Sequence, residues 1–387
     1  YSGKRMKKIT FLMLHLGYGG AEQAVIAQAN LLVEKYNVEI ISFYKLYENP
    51  AFEVDPRIEI KYLTENVKPN REEIKKAISA REVGKIVKEG IKSLKILYWR
   101  KYKMRTAIRE CDSDVIISSR YIYHKLLTKN APEKAVCIAQ EHNHHNGNEK
   151  YIRRQIQAIK DMDYFMPVSR ELTEFYRERT RGMKVKCKYI SHYLEKIPQE
   201  NSDLTGKKII SVGRLAPEKN FVELIDIFAL ISKNNKDWQL HIVGDGAEKE
   251  RLIKIIKENG LNEKVILHGY QNKEYIAKLM YQSSIYVMTS LTESFGLVLI
   301  EAQSFGIPCI AYDCAQGAKE IIQSYKNGIL IEKHSQSQMV KELEKLISDY
   351  NYRKKIGEEG KKNALKYSKE SVATLWYDFI DSITKKV

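Results

Sequence analysis

Apolar runs of strand length alternate with segments of helical periodicity along most of the chain. The first run, Lys8 to Leu14, passes into Gly17-Tyr18-Gly19-Gly20, then into a helical segment from Ala21 to Tyr36 and a second strand from Val38 to Tyr44. Strand, glycine turn, helix and strand in this order make a βαβ unit, which predicts a parallel sheet with helices on its faces. Further strand-length runs stand at Asp114–Ser118, Ala135–Gln140 and Tyr164–Val168. Between Asn70 and Glu110 the pattern is one long, basic, helix-like stretch.

The pattern becomes irregular from Tyr189 to Gly206, where Pro198, Asn201 and Gly206 mark a linker. A second series then starts, with strands at Lys208–Val212, Trp238–Val243, Lys264–Leu267, Ile285–Thr289, Pro308–Tyr312 and Gly328–Ile331, each followed by a helical segment. The reading is an α/β chain of two doubly wound, Rossmann-like domains, residues 6–190 and 191–368. A last amphipathic helix, Lys369 to Ile383, could return to the N-terminal domain. A length of 387 residues suits two domains.

Composition narrows the function classes. The five cysteines are scattered and contain no C-x-x-C pair, which fits reduced thiols rather than a disulfide framework or zinc site. Residues 1–5 precede Met6 and read as a tag remnant. The run Ile9 to Leu16 is too short to span a bilayer, so a cytoplasmic chain at the inner face of the cell membrane is expected. With 65 Lys and Arg against 49 Asp and Glu, the net charge of +16 asks for an anionic partner: nucleic acid, lipid or phosphorylated substrate.

The stretch from Thr289 to Pro308 carries the most chemistry. It reads as strand end, loop, helix and next strand, with Glu293 just before the helix and Glu301 about two turns along it. Amides near Phe295, Gly296 and Leu297 would stand at the helix N-terminus, where an anion such as a diphosphate binds. Gly296 lets a ligand approach the backbone. Two carboxylates at the ends of such a helix suit the hydroxyls of a nucleotide-sugar. By themselves they also fit a helix-capping acid and an ordinary exposed residue. Arg214 and Lys219 follow a strand and can set a bidentate guanidinium and a point charge on a diphosphate. A solvated basic loop is the plain alternative.

Glu293 and Glu301, with Ser-Phe-Gly-Leu between them and Glu-Ala-Gln-Ser-Phe-Gly-Ile-Pro from Glu301 on, resemble the E-x7-E segment of glycosyltransferase family 4. Ser211-Val-Gly-Arg-Leu-Ala-Pro-Glu-Lys-Asn220 resembles that family's G-R-L-x-x-x-K segment. Ile242-Val-Gly-Asp-Gly-Ala247, Leu267-His-Gly-Tyr270, Tyr325-Lys-Asn-Gly328 and the N-terminal Gly19-Gly-Ala-Glu22 follow in the family's order. The resemblance spans nearly the whole chain. It implies a GT-B fold, two domains facing across a cleft, and a retaining hexosyltransferase that uses a UDP-sugar and no divalent metal.

Carried over residue by residue, the resemblance assigns catalytic roles to His142, Glu293, Arg214 and Lys219. It gives donor contacts to Gly19, Gly20, Gly244, Tyr270, Gln271, Asn272, Phe295, Gly296, Leu297 and Glu301, with the uracil read by backbone near Tyr270–Asn272. The cluster His142, His144 and His145 leaves open a zinc site or a plain surface group. Two segments depart from the family pattern: Ile190-Ser-His-Tyr-Leu194 at the linker, and Asp313 to Glu320, with Ala315 and Ala318 where prolines are common.

From Lys68 to Glu110 there are 14 Lys and Arg against five Asp and Glu, a net of +9. Ile74, Ile78, Ile91, Leu94, Leu97 and Tyr98 recur at near-helical spacing, with Trp99 beside them. Such a basic amphipathic segment, Lys68–Arg109, reads as a surface for anionic lipid. The alternative packs this apolar stripe on the N-terminal sheet. No nucleic-acid motif accompanies the charge. The resemblance implies a lipid-linked or cell-envelope glycan as acceptor. Two rivals stay open: a UDP-sugar epimerase of the same architecture, and a catalytically idle membrane-docking partner of a glycan-assembly complex.

Overall fold

The structure, a computed structural model, describes residues 5–293, 295–314 and 316–384. Ala315 and residues 1–4, read above as part of a tag, lie outside the described residues. The chain divides into two compact units. One runs to Ile190 and takes up the chain again from Ala373, and the other is Ser191–Val372.

Among the described residues, the first unit is a parallel sheet of β1 (Lys8–Met13), β2 (Asn37–Tyr44), β3 (Glu59–Thr64), β4 (Val115–Ser118), β5 (Val136–Glu141), β6 (Tyr164–Pro167) and β7 (Lys186–Cys187). Their spatial order is β3-β2-β1-β4-β5-β6-β7. Its helices are α1 (Gly20–Leu32), α2 (Arg71–Ser79), α3 (Val83–Arg109), α4 (Tyr121–Asn130), α5 (Glu149–Ile159) and α6 (Arg170–Arg179). Central strands such as β1 and β4 are apolar on both faces because helices cover both, and Ile9, Phe11, Val115 and Ile117 are buried. β3 was not anticipated. Its sequence, Glu-Ile-Lys-Tyr-Leu-Thr, is half polar because it is the edge strand, where charge guards against edge-to-edge pairing.

The basic stretch forms two helices rather than one, broken where Arg81 turns left-handed at φ 55°. α3 has two different sides. Ile96, Met104, Ala107 and Ile108 are buried, whereas Val83, Val87, Ile91, Leu94, Tyr98 and Tyr102 stand exposed. Spacings of three and four residues put the exposed set on one stripe. The stripe of Ile91, Leu94 and Tyr98 therefore does not pack on the sheet; a different side of α3 does.

The second unit repeats the plan with β8 (Lys208–Val212), β9 (Gln239–Val243), β10 (Val265–Leu267), β11 (Ile285–Met288), β12 (Cys309–Tyr312) and β13 (Ile329–Ile331). These strands are parallel, in the order β10-β9-β8-β11-β12-β13. The helices are α7 (Phe221–Ile231), α8 (Lys249–Glu258), α9 (Lys273–Tyr281), α10 (Leu297–Ser304), α11 (Gln316–Ile321), α12 (Gln336–Ser348) and α13 (Tyr350–Ala364). Its core joins Ile209, Leu240, Ile242, Ile285 and Val287 of the sheet to Leu224, Phe228, Leu343 and Leu346 of the helices.

α14 (Lys369–Ile383) leaves the second unit, and from Ala373 onward it packs within the first. Asp381 accepts from Lys7 Nζ at 2.8 Å, Lys35 Nζ at 2.7 Å and Tyr36 Oη at 3.1 Å. These three donors outweigh the effect of burial and hold the Asp381 carboxyl far below the usual range.

In both units the chain lays strands outward on one side of its first strand and then returns to the other side. The reversal falls between β1 and β4 in the first unit, and between β8 and β11 in the second. In open parallel sheets, ligands bind outside the carboxyl ends of the strands at such a reversal.

Candidate active site

In the second unit, the loops at the carboxyl ends of β8 and β11 are tied together by their own backbone. β8 runs through Gly213 and Arg214 into a single 3-10 turn, Pro217–Lys219, which Asn220 closes in the left-handed region at φ 55°. Asparagine tolerates that region better than most side chains. The Leu291 amide donates to the Glu218 carbonyl at 2.8 Å. Thr289 Oγ1 lies 3.1 Å from the carbonyl oxygens of both Lys219 and Asn220.

These bonds bring the Lys219 ammonium onto the Glu293 carboxylate in an ion pair. Both side chains are about four-fifths buried, at 19% and 18% exposure. A pair this shielded is not a casual surface contact, since removal of one partner would leave the other poorly compensated. Arg214 takes a different partner: its guanidinium, 73% exposed, reaches Glu218 at 2.6 Å. The backbone amide of Glu218 and Arg214 together lower that carboxyl.

Glu293 leads into the start of α10. Its carbonyl accepts from the Gly317 amide at 3.0 Å. Gly317 lies so close that a Cβ there would stand 2.1 Å from the Phe295 carbonyl oxygen, so a glycine is required. Phe295 is buried, with its ring edge-to-face on His192 at 5.0 Å. His192 belongs to the linker segment that departs from the family pattern. Gly296 caps α10 at φ 82°, a conformation that favours glycine, and Leu297 is the first helical residue. As the N-cap, Gly296 has no side chain to take the α10 amides. Glu301 lies further along α10, with its carboxyl raised by burial and Lys273 acting against that rise.

The other assigned residues of this unit share the same edge of the sheet. Gly244 follows β9, its amide bonded to the Gly269 carbonyl at 2.9 Å. Asp245 bonds the Gly246 amide at 2.8 Å, a local turn contact. Tyr270 is exposed, Gln271 Nε2 donates to the His268 carbonyl at 2.8 Å, and Asn272 caps α9 by accepting from the Tyr275 amide. Thus the segments around Arg214, Lys219, Gly244, Tyr270–Asn272, Glu293 and Phe295–Leu297 all lie at the carboxyl ends of one sheet. Lys219 and Glu293 touch, and Arg214 turns to Glu218 instead.

In the first unit, Gly19 precedes α1 and its carbonyl accepts from the Gln23 amide. A Cβ on Gly20 would meet nothing within 4 Å. His142 follows β5. Beside it Glu141 accepts from the Asn143 amide at 2.9 Å and from the Tyr151 hydroxyl, while burial raises its carboxyl. Nδ1 of His144 and of His145 accepts from the backbone amides of Asn146 and Gly147, at 2.9 and 3.0 Å. Among the described residues no group of three or more His, Cys, Asp or Glu is placed to hold a metal ion.

Several residues went unsingled in the sequence. Thr289 and Gly317 act through backbone, which leaves little residue-type signal, although Gly317 stands in a segment already marked as a family variant. Glu22, buried at the start of α1, accepts from Arg120 at 2.6 Å, with His15 Nε2 at 3.8 Å. These three meet at the strand reversal between β1 and β4, a contact that no local spacing announces.

Residues 193–363 match the family model for glycosyl transferases group 1. The chain is 26% identical to an exopolysaccharide phosphotransferase of Streptomyces coelicolor over 98% of its own length, but spans only 41% of that protein. It is 27% identical to a Campylobacter jejuni enzyme, covering 95% of this chain and 98% of the other. That enzyme is an N-acetylgalactosamine-N,N'-diacetylbacillosaminyl-diphospho-undecaprenol 4-alpha-N-acetylgalactosaminyltransferase. Among solved structures, Anabaena HepE in complex with UDP and glucose matches with a TM-score of 0.71 at 17% identity, over 98% of this chain and 100% of that one. The chain thus has the two-domain α/β fold of the GT-B glycosyltransferases. Within its second unit, residues 193–363 are similar to the glycosyl transferases of group 1.

Proposed function

We propose that the chain moves a hexose or N-acetylhexosamine from a UDP-sugar to a lipid-linked or cell-envelope glycan, with retention of anomeric configuration. The observation that carries this reading is the shielded Lys219–Glu293 pair at the strand reversal of the second unit. Lys219, Arg214 and the amides of Phe295 to Leu297 supply positive charge where a diphosphate departs. Fixed charge and dipoles of this kind are often the largest contribution to catalysis. They take the place of a divalent cation, which the reaction does not need.

Glu293 accepts from hydroxyls of the transferred sugar, and Glu301 from the ribose. The backbone from Tyr270 to Asn272 faces the base. Gly244 lines the nucleotide side. The bond from the anomeric carbon to UDP breaks, the acceptor oxygen bonds on the same face, and its proton passes to the departing phosphate oxygen. The nucleotide in Anabaena HepE and the lipid-linked substrate named for the Campylobacter enzyme support this choice of donor and acceptor.

A second element of the proposal is the membrane. The exposed stripe on α3 is flanked by Lys88, Lys92 and Lys95, and Lys101 and Arg105 continue the charge. Apolar side chains beside lysines suit the headgroup layer of an anionic bilayer, where each cation adds about 1 kcal/mol of attraction. No helix among the described residues is long and apolar enough to cross a membrane.

The test is UDP release from UDP-glucose, UDP-galactose, UDP-N-acetylglucosamine and UDP-N-acetylgalactosamine, with and without a lipid-linked acceptor. One donor should turn over, and Lys219→Ala should slow it by about 100-fold. Absence of release from all four would defeat the proposal.

A further inference from the structure

Three aromatic side chains from two loops meet at the carboxyl edge of the first unit's sheet. Tyr18, in the glycine turn after β1, stands edge-to-face with Tyr47 at 5.8 Å and with Phe52 at 6.0 Å, both in the loop after β2. Tyr18 is nevertheless 74% exposed, and Tyr47 is 50% exposed. A cluster that served only to hold its loops would bury these rings. Here the loops are held by other bonds. The Ala51 amide donates to the Leu16 carbonyl at 2.9 Å, and the Tyr44 amide to the Leu14 carbonyl at 2.9 Å. Asn30 of α1 spans the loop after β2, accepting from the Asp55 amide and donating to the Glu53 carbonyl, each at 2.9 Å. The rings are thus displayed on a frame that does not depend on them.

Polar groups stand at the neighbouring residues: a Cβ on Gly17 would lie 3.2 Å from His15 Nδ1 and 3.3 Å from the Tyr47 ring. The Glu22 carboxylate is close enough to Gly19, the next residue after Tyr18, that a Cβ on that glycine would lie 2.1 Å from Oε2. Glu22 is fixed by Arg120 at 2.6 Å and neighboured by His15, whose Nδ1 accepts from the Gly17 amide at 3.2 Å. Exposed ring faces in the same loop region as a part-exposed guanidinium and an imidazole suit a ligand with one apolar face and a rim of hydroxyls. A pyranose fits this description: its axial C–H bonds point at the electron-rich face of an aromatic ring, and its hydroxyls find donors and acceptors around it. A hydrocarbon chain would take water from the part-exposed Arg120 guanidinium and return no hydrogen bond to it. The place is also the strand reversal of this unit, where a ligand is expected in an open parallel sheet.

We infer that Tyr18 and Tyr47 form a stacking platform for a sugar ring of the acceptor glycan, with the part-exposed Arg120 and His15 near it for the hydroxyls and the buried Glu22 holding Arg120 in place. The word acceptor rests on the glycosyltransferase reading above; the recognition of a sugar ring does not.

The test uses the full chain with 13C-labelled tyrosine rings, titrated with the methyl glycosides of glucose, galactose, N-acetylglucosamine and N-acetylgalactosamine. At least one glycoside should shift the Tyr18 and Tyr47 ring signals together. Tyr18→Ala should weaken that titration, followed at Tyr47, by about fivefold, as expected for loss of one ring contact. Tyr18→Phe keeps the ring and should titrate within about twofold of the parent. Rings unmoved by all four sugars, or Tyr18→Ala titrating like the parent, would overturn the platform. UDP release by the parent chain is read separately. A parent that binds sugar at these rings yet turns over no UDP-sugar would defeat the enzyme reading and leave the platform standing.

Discussion

The ammonium of Lys219 and the carboxylate of Glu293, 74 residues apart in the chain, form an ion pair at the carboxyl ends of two neighbouring strands, β8 and β11. The pair exists because the intervening chain makes one excursion across the sheet and returns at the strand reversal. Side-chain chemistry alone does not explain it. Thr289 and Leu291 reach back to the backbone of Glu218, Lys219 and Asn220, so the two loops behave as one piece.

The far side of that piece depends on Gly317. A methyl group there would sit 2.1 Å from the Phe295 carbonyl oxygen, which is backbone and cannot swing aside. Gly317→Ala should therefore displace the Phe295–Gly296 segment and lower stability by roughly 1–3 kcal/mol, read from chemical denaturation. UDP release should fall as well, because the α10 amides move with the loop. A parent-like stability would mean that the close approach is absent in solution.

Asp381 fastens α14 onto the first unit through Lys7, Lys35 and Tyr36. The groups are partly exposed, so screening keeps the effect modest. Asp381→Asn should cost about 1 kcal/mol at low ionic strength and less in high salt. Thermal melts at two salt concentrations check this, and a loss that grows with salt would contradict it.

Burial lowers three histidines well below the ordinary value of 6.5: His124 to about 3, and His192 and His241 each to about 4. All three are neutral in the folded chain, while the unfolded chain takes up protons below 6.5. Their contribution is therefore complete above pH 6.5 and is lost as pH falls toward the folded values. Glu141 and Glu301, raised by burial, act in the opposite sense. His124→Gln removes one acid-labile group, so its stability should fall less steeply than the parent's between about pH 6.5 and 5. Parallel curves for the two proteins would show that His124 titrates normally.

The exposed stripe of α3 should govern contact with lipid. Leu94→Glu combined with Tyr98→Glu places two anions in the middle of the stripe, away from the buried Ile96 and Met104. Flotation with vesicles rich in phosphatidylserine should fall by about tenfold or more, with thermal stability nearly unchanged. Equal flotation of parent and variant would remove the stripe from the account.

Much of the fold was legible because parallel strands covered on both faces must be apolar throughout, and short apolar runs such as Ile209–Val212 and Ile285–Met288 stand out between helical segments. β3 escaped because an edge strand has one side in water and reads as mixed. α3 shows why an amphipathic pattern underdetermines packing. It carries apolar residues on two sides, and only the contacts of Ile96 and Met104 with the rest of the unit decide which side is inside. Lys219 and Glu293 were visible as separate segments with recognisable neighbours. The turn of Arg214 toward Glu218 was not, because a flexible guanidinium four residues from a carboxylate has several partners within reach. The meeting of Tyr18, Tyr47 and Phe52 lay beyond any local pattern, since it depends on how the loops after β1 and β2 come together.

The most direct measurement is calorimetric titration of UDP into the parent chain and Lys219→Ala, both with a metal chelator present. The account predicts that the parent binds UDP without a divalent ion and that Lys219→Ala binds about 10- to 100-fold more weakly, as expected for loss of a charge-assisted contact to phosphate. Equal affinity in the two proteins, or parent binding that appears only when magnesium is restored, would contradict it.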